Sequence, residues 1–146
     1  MNTNMLTSEK VAVVATIDPD AYSAAAYDSD YVDMSKFESI QAIGMVGTME
    51  TNSTVIFKLQ SATAATGGAD ITGKTATTLT QAGTDSDKQV VINLRGEELT
   101  EGHRYVKMVM TVAAADSDAG GVILGFNPKN APASDHDLAT VDEILE

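Results

Sequence analysis

The sequence predicts an all-β fold: an antiparallel β-sandwich, immunoglobulin-like or jelly-roll-like, with extended N- and C-terminal arms. Three observations predict it. Short β-branched runs recur between Gly, Asp, Asn and Ser turn signals along most of the chain. Several of these runs alternate apolar and polar residues with a period of two, which is the period of a half-buried strand. Helical periodicity is nearly absent, so there is no alternation of strand and helix from which a parallel sheet could be built. A chain of 146 residues fits one domain and hides enough surface to hold a core without staples. It has no Cys, hence no disulfide framework.

Strands are expected at residues 11–17, 37–48, 54–61, 89–95, 105–112 and 121–127, with short ones at 31–34 and 75–80. In residues 54–61, Val55, Phe57 and Leu59 should face the core while Ile56, Lys58 and Gln60 face outward or toward a partner. Val90, Ile92 and Leu94 repeat that pattern against Val91 and Asn93. Val106, Met108, Met110 and Val112 repeat it against Tyr105, Lys107 and Thr111. Leu99, Gly102, His103, Arg104 and Tyr105 are spaced like the corner at which immunoglobulin and fibronectin type III sandwiches set a Tyr hydroxyl against upstream backbone. Tyr105 either forms such a corner or is an ordinary aromatic at a strand start. Residues 61–86 are mostly Ser, Thr, Ala and Gly, which bury little area, and read as an exposed loop or a pair of thin edge strands.

Residues 1–127 form the single sandwich domain, with an N-terminal arm at 1–10, and residues 128–146 form a C-terminal arm. That second arm holds two of the three prolines, Pro128 and Pro132. Residues 135–145 read as a short helix capped by Ser134 or Asp135, with Leu138, Val141, Ile144 and Leu145 along one side. An apolar stripe of that kind needs somewhere to dock. Met5, Leu6, Pro128, Pro132, Leu138, Val141, Ile144 and Leu145 are therefore the expected contacts with other copies or with a lattice.

Charge excludes several partners. With 21 Asp and Glu against 9 Lys and Arg, the net charge is -12, so the surface should repel phosphate backbones and anionic headgroups. Neither nucleic acid nor membrane is an expected partner. The apolar run at 11–17 is far too short to span a bilayer, and no basic segment precedes it as in a secretory signal.

Motifs that carry chemistry fail for want of context. Gly68 to Thr75 matches the phosphate-loop pattern G-x-x-x-x-G-K-T. That loop needs a helix N-terminus to hold phosphate, and the residues after Thr75 are β-branched and soon reach Gly83. Asp pairs at spacing two recur at 18/20, 28/30, 85/87, 116/118 and 135/137, and read first as turn-closing residues, with calcium bridging between two loops or two subunits as the alternative. His103 and His136 stand 33 residues apart with no ligand set or Ser/His/Asp arrangement. No enzymatic centre, metal or cofactor is expected.

The order of segments resembles a known family. A run from Asp30 to Ile40 leads to Thr54–Ser61, then a Thr/Ala/Gly stretch, then Val90–Leu99 and Arg104–Val112. Over residues 28–127 this is similar to head decoration, or cement, proteins of tailed bacteriophages, which are small β-sandwich virion proteins. The resemblance implies a non-enzymatic protein made in the host cytoplasm and placed on the outer surface of the virion head. There it would bind the major capsid protein and copies of itself, commonly as trimers, and stabilise the shell. The alternative is a tail or spike β-sandwich module that binds a host-surface glycan or receptor. Tyr22, Tyr27 and Tyr31 are the aromatic cluster such a module would use.

Overall fold

The computed structural model describes residues 4–133 and 140–145. A one-turn helix, α1 (Thr7–Lys10), precedes β1 (Val11–Tyr22), β2 (Ala25–Asp28), β3 (Val32–Asp33), β4 (Phe37–Met49) and β5 (Thr54–Ala62). After these come β6 (Ala69–Thr75), β7 (Leu79–Thr80), β8 (Gln89–Arg95), β9 (Tyr105–Ala113) and β10 (Ser117–Pro128). Short 3-10 turns lie at Gln81–Gly83 and Gly96–Glu98. The strands pair antiparallel into two sheets. One has four strands in the order β1-β10-β4-β8, and the other is built on β2-β9-β5-β6, with β3 added to β9 and β7 to β5.

The period-two pattern of the sequence sets the core. Val55, Phe57 and Leu59 of β5 are fully buried against Ile40 and Ala42 of β4, Met108 and Met110 of β9, and Ile123 of β10. Two glycines make room for the largest of these side chains. Gly44 and Gly121 face each other across the β4–β10 ladder. A Cβ on Gly44 would lie 2.5 Å from the Phe57 ring, and one on Gly121 would run into Met108 Cε. Facing sheets can then close over a ring and a thioether without a void.

The structure extends and corrects the strand reading. β1 runs past Ile17 to Tyr22, with Pro19 inside a register shift between Ile17 and Asp20. Proline is tolerated there because β1 is an edge strand and needs no donor on its outer side. β10 begins at Ser117 rather than residue 121, and β2 at Ala25–Asp28 was not expected. Both segments consist of Ala, Gly, Ser and Asp beside little else, so they carry no β-branched signal. Within the Ser/Thr/Ala/Gly stretch, the chain forms thin edge strands, β6 and β7, against β5. β6 ends at Thr75, where a strand had been expected to begin.

Two further expectations are decided by the structure. Tyr105 makes no corner: its hydroxyl has no backbone partner among the described residues, and its ring instead lies 5.4 Å from the Arg104 guanidinium. The corner bond is made by other tyrosines. Tyr22 donates to Asp18 O at 2.6 Å and Tyr27 to Ser23 O at 3.1 Å, each reaching four residues back. Residues 140–145 are not helical, against the helix read over 135–145, whose residues 135–139 lie outside the described part. A segment of about two turns has little helical stability without a packed face.

Candidate interaction surfaces

The two outer faces of the sandwich differ in kind. On the six-stranded sheet, polar side chains satisfy one another. Lys107 is only 8% exposed although it points away from the core, because Asp28 takes its ammonium in an ion pair and the Tyr31 ring lies 5.4 Å away. Burial pulls the Lys107 pKa down, but Asp28 and Tyr31 outweigh it and leave the group above its ordinary value. Tyr31 donates to Gly67 O, which ties residue 67 beside this cluster. On β5 and β6, Lys58 meets Asp70 at 2.9 Å and Gln60 donates to the same carboxylate at 2.7 Å. These bonds hold Asp70 below the usual carboxylate range, Lys58 first and Gln60 second.

The outer face of the four-stranded sheet is apolar instead. Its cross-strand rows read Val11–Phe126–Ser39–Arg95, then Val13–Leu124–Gln41–Asn93, then Thr16–Val122–Ile43–Val91. An apolar band therefore crosses from the start of β1 to the middle of β8, ending at Val91 and Met45, which are 54% and 43% exposed. Polar residues flank the band on both sides, with Gln41 donating to Asn93 Oδ1 at 3.0 Å. The sequence carried a signal for this face: Val122-Ile123-Leu124 is apolar without alternation. A strand of that kind has both faces to cover.

The two ends of this face differ in charge. At one end a depression of about 800 Å³ has Met45, Val122 and Ala119 in its lining and Asp18, Asp20, Asp87 and Asp118 around it. At the other end a depression of about 540 Å³ holds Arg95 and Lys129 together with Glu38 and Glu97. Arg95 reaches Glu97 at only 3.4 Å, and Lys129 Nζ donates to Met34 O at 3.4 Å. Six residue steps along β8, from Gln89 to Arg95, separate the ends by about 20 Å.

The structure scatters the expected contact residues between these ends. Met5 is half-buried and Leu6 is 45% exposed just ahead of α1, where the Glu9 carboxylate accepts the Leu6 N–H at 2.6 Å. Pro128 closes β10 half-buried, and Pro132 is exposed. Ala133 donates to Glu9 O at 2.8 Å and packs with Ala12 and Phe37, which brings both arms to one end of β1. The chain reappears at Thr140 beside Thr16 and Asp18, at the acidic end of the same face. Val141 is half-buried there, while Ile144 and Leu145 are exposed at 41% and 84%. Leu138 lies outside the described residues.

The phosphate-loop lysine and the Ser61–His103 pair make structural contacts. The phosphate-loop match lies along edge strand β6, with no helix after it. Its Lys74 donates to Asn93 O at 2.7 Å and pairs with Glu98 at 2.7 Å, which fastens β6 to β8 across the open side of the sandwich. Ser61 Oγ lies 2.7 Å from His103 Nδ1, but Ser61 is only 3% exposed at the end of β5. A nucleophile must reach substrate, and this hydroxyl acts as a clamp between β5 and the segment leading into β9. Of the Asp pairs, Asp85 Oδ2 accepts the Thr80 N–H at 2.9 Å beside a 3-10 turn, Asp20 Oδ1 accepts the Ala21 N–H at 2.8 Å within β1, and Asp28 pairs with Lys107, while Asp135 and Asp137 lie outside the described residues. Among the described residues, no three His, Asp or Glu side chains gather to hold a metal ion. Among them also, no helix is long and apolar enough to cross a membrane.

Known proteins offer one comparison of shape. No protein family matches the sequence, and no curated protein matches it. Over 84% of its length the chain is similar in structure to part of a chain from infectious bursal disease virus, Gx strain, with a TM-score of 0.51 and 13% sequence identity. It spans 33% of that chain's length. The likeness is one of fold, a β-sandwich of the same general architecture.

Proposed function

We propose that this chain is a non-enzymatic structural protein of a virus particle, a decoration or cement protein on the outer surface of a tailed-phage head. It would bind the major capsid protein and other copies of itself there. The observation that carries this reading is the two-faced sandwich: one outer face is polar and satisfied, and the other carries an apolar band, half-buried along β1, β10 and β4 and exposed at Val91 and Met45. Monomeric proteins seldom leave a contiguous apolar face to water, and such a face marks a protein partner. The likeness to a chain of a virus structure supports the reading at the level of fold.

The tail or spike alternative is less supported. The Tyr22 and Tyr27 rings pack at a tilt of 54° with centroids 4.3 Å apart, and both hydroxyls are spent on backbone carbonyls. Tyr31 is spent on Gly67 and Lys107. A sugar platform needs its ring free. Co-sedimentation of the purified chain with expanded phage heads that lack it tests the proposal. Saturable binding and a higher temperature of head disruption are expected, and absence of both refutes it.

A further inference from the structure

We propose that the outer face of the four-stranded sheet is the contact between two copies of this chain, stacked face to face with strands antiparallel. The acidic end of each copy then lies over the Arg95–Lys129 end of the other. This inference rests on the reading above only in taking the protein to act through self-association.

The charge pattern selects the second copy as occupant and sets its direction. A two-fold axis through the middle of the face makes the contact self-complementary, as an isologous dimer requires. It brings the carboxylates of Asp87 and Asp118 towards Arg95 and Lys129 of the partner copy, and it does so twice. Stacking with the strands parallel would instead oppose four carboxylates with four carboxylates. Like-charge contact at that level suppresses the wrong orientation. The Arg95–Lys129 end also holds Glu38 and Glu97, so antiparallel stacking sets four carboxylates against a mixed end of no net charge, where parallel stacking sets them against four carboxylates.

The arm fits the same arrangement. Thr140 lies at the acidic end, and Asp142 and Glu143, exposed just after it, add to the negative charge there. Ile144 and Leu145, exposed on their own chain, reach the apolar band of the opposite copy. The contact has two copies as its closed form, so a threefold ring needs a different surface.

The test is the solution mass of the full chain by sedimentation equilibrium, with circular dichroism and a thermal midpoint on every variant to show that it folds. The wild-type chain is expected to dimerise. Val91→Lys and Met45→Lys, both on exposed positions, should each weaken the dimer about tenfold or more. Arg95→Glu with Lys129→Glu, and separately Asp87→Lys with Asp118→Lys, should each give monomer, while an equimolar mixture of the two variants should recover dimer. A monomeric or trimeric wild type, a dimer indifferent to Val91→Lys, or no recovery on mixing would overturn the proposal. The same variants are carried through head co-sedimentation: wild-type chain that binds heads without dimerising defeats this inference and leaves the virion reading standing. Wild-type chain that dimerises as described but ignores heads does the reverse.

Discussion

Arg104 and Asp33, 71 residues apart, form a two-pronged pair in which Nε donates to Oδ1 at 2.7 Å and a terminal nitrogen donates to Oδ2. The pair locks β3 to the residue before β9, where Met34 N–H also donates to Arg104 O at 2.9 Å. The Arg104 hydrogen bonds, helped by the Ser35 N–H, hold the Asp33 carboxyl well below the usual carboxylate range.

That depression fixes the sign of an acid effect. A carboxylate with a lowered folded pKa adds stability above its unfolded value of about 4, and the contribution is lost as pH falls through and below that value. Thermal midpoints of wild type and Asp33→Asn should differ at pH 7 and converge towards pH 2. The difference at pH 7 should be a few degrees at most, because Arg104 is half exposed and its pairing is screened.

The Gly44–Phe57 contact predicts an overpacking penalty. Gly44→Ala should destabilise by about 1–3 kcal/mol in urea unfolding, because a Cβ at 2.5 Å from the ring forces β4 or Phe57 to shift. Adding Phe57→Leu to Gly44→Ala should cost less than the sum of the two single changes, since the smaller side chain relieves the collision. Strict additivity would show that the glycine serves some other purpose.

Ser53 and Ser117 share a buried hydroxyl contact between the start of β5 and the start of β10, and Ser53 also donates to Ala115 O at 3.0 Å. Ser53→Ala should cost about 1–3 kcal/mol, since it leaves the buried Ser117 hydroxyl without its partner. Ser53→Ala with Ser117→Ala together should cost less than twice that. Chemical denaturation of the three variants measures both quantities.

Lys107 and Asp28 predict an alkaline effect of opposite sign to that of Asp33. The raised Lys107 pKa gives stability that is complete below the unfolded value of about 10.4 and is lost as pH rises through the folded one. Asp28→Asn should abolish or reverse the alkaline dependence, because burial then acts on Lys107 without its main counter-charge, and, by leaving a buried ammonium unpaired, destabilise more at pH 7 than Lys107→Met does. Stability of wild type and both variants between pH 7 and 11 gives the comparison.

Much of the sandwich is legible in the sequence because the central strands write a period of two. Val55–Leu59, Val90–Leu94 and Val106–Val112 declare both their existence and their buried face. What is not legible is made of small residues. The Ala25–Asp28 strand and the Ser117–Gly121 start of β10 gain their conformation from partners already in place, so tertiary pairing rather than propensity decides them. Lys107 shows the same limit from the other side. Nothing near it in the chain tells that Asp28 and Tyr31, 79 and 76 positions earlier, will bury an outward lysine. The apolar outer face is a property of register: Val11, Phe126 and Ile43 are unremarkable one by one and become a band only when three strands align.

The most direct test of the whole account is cryo-electron microscopy of intact particles made by the genome that encodes this chain, with its copy number measured by mass spectrometry. Density for the sandwich on the outside of the head, at a fixed ratio to the shell protein, is the predicted result. Particles that lack the chain, or that carry it at the tail, would contradict the account.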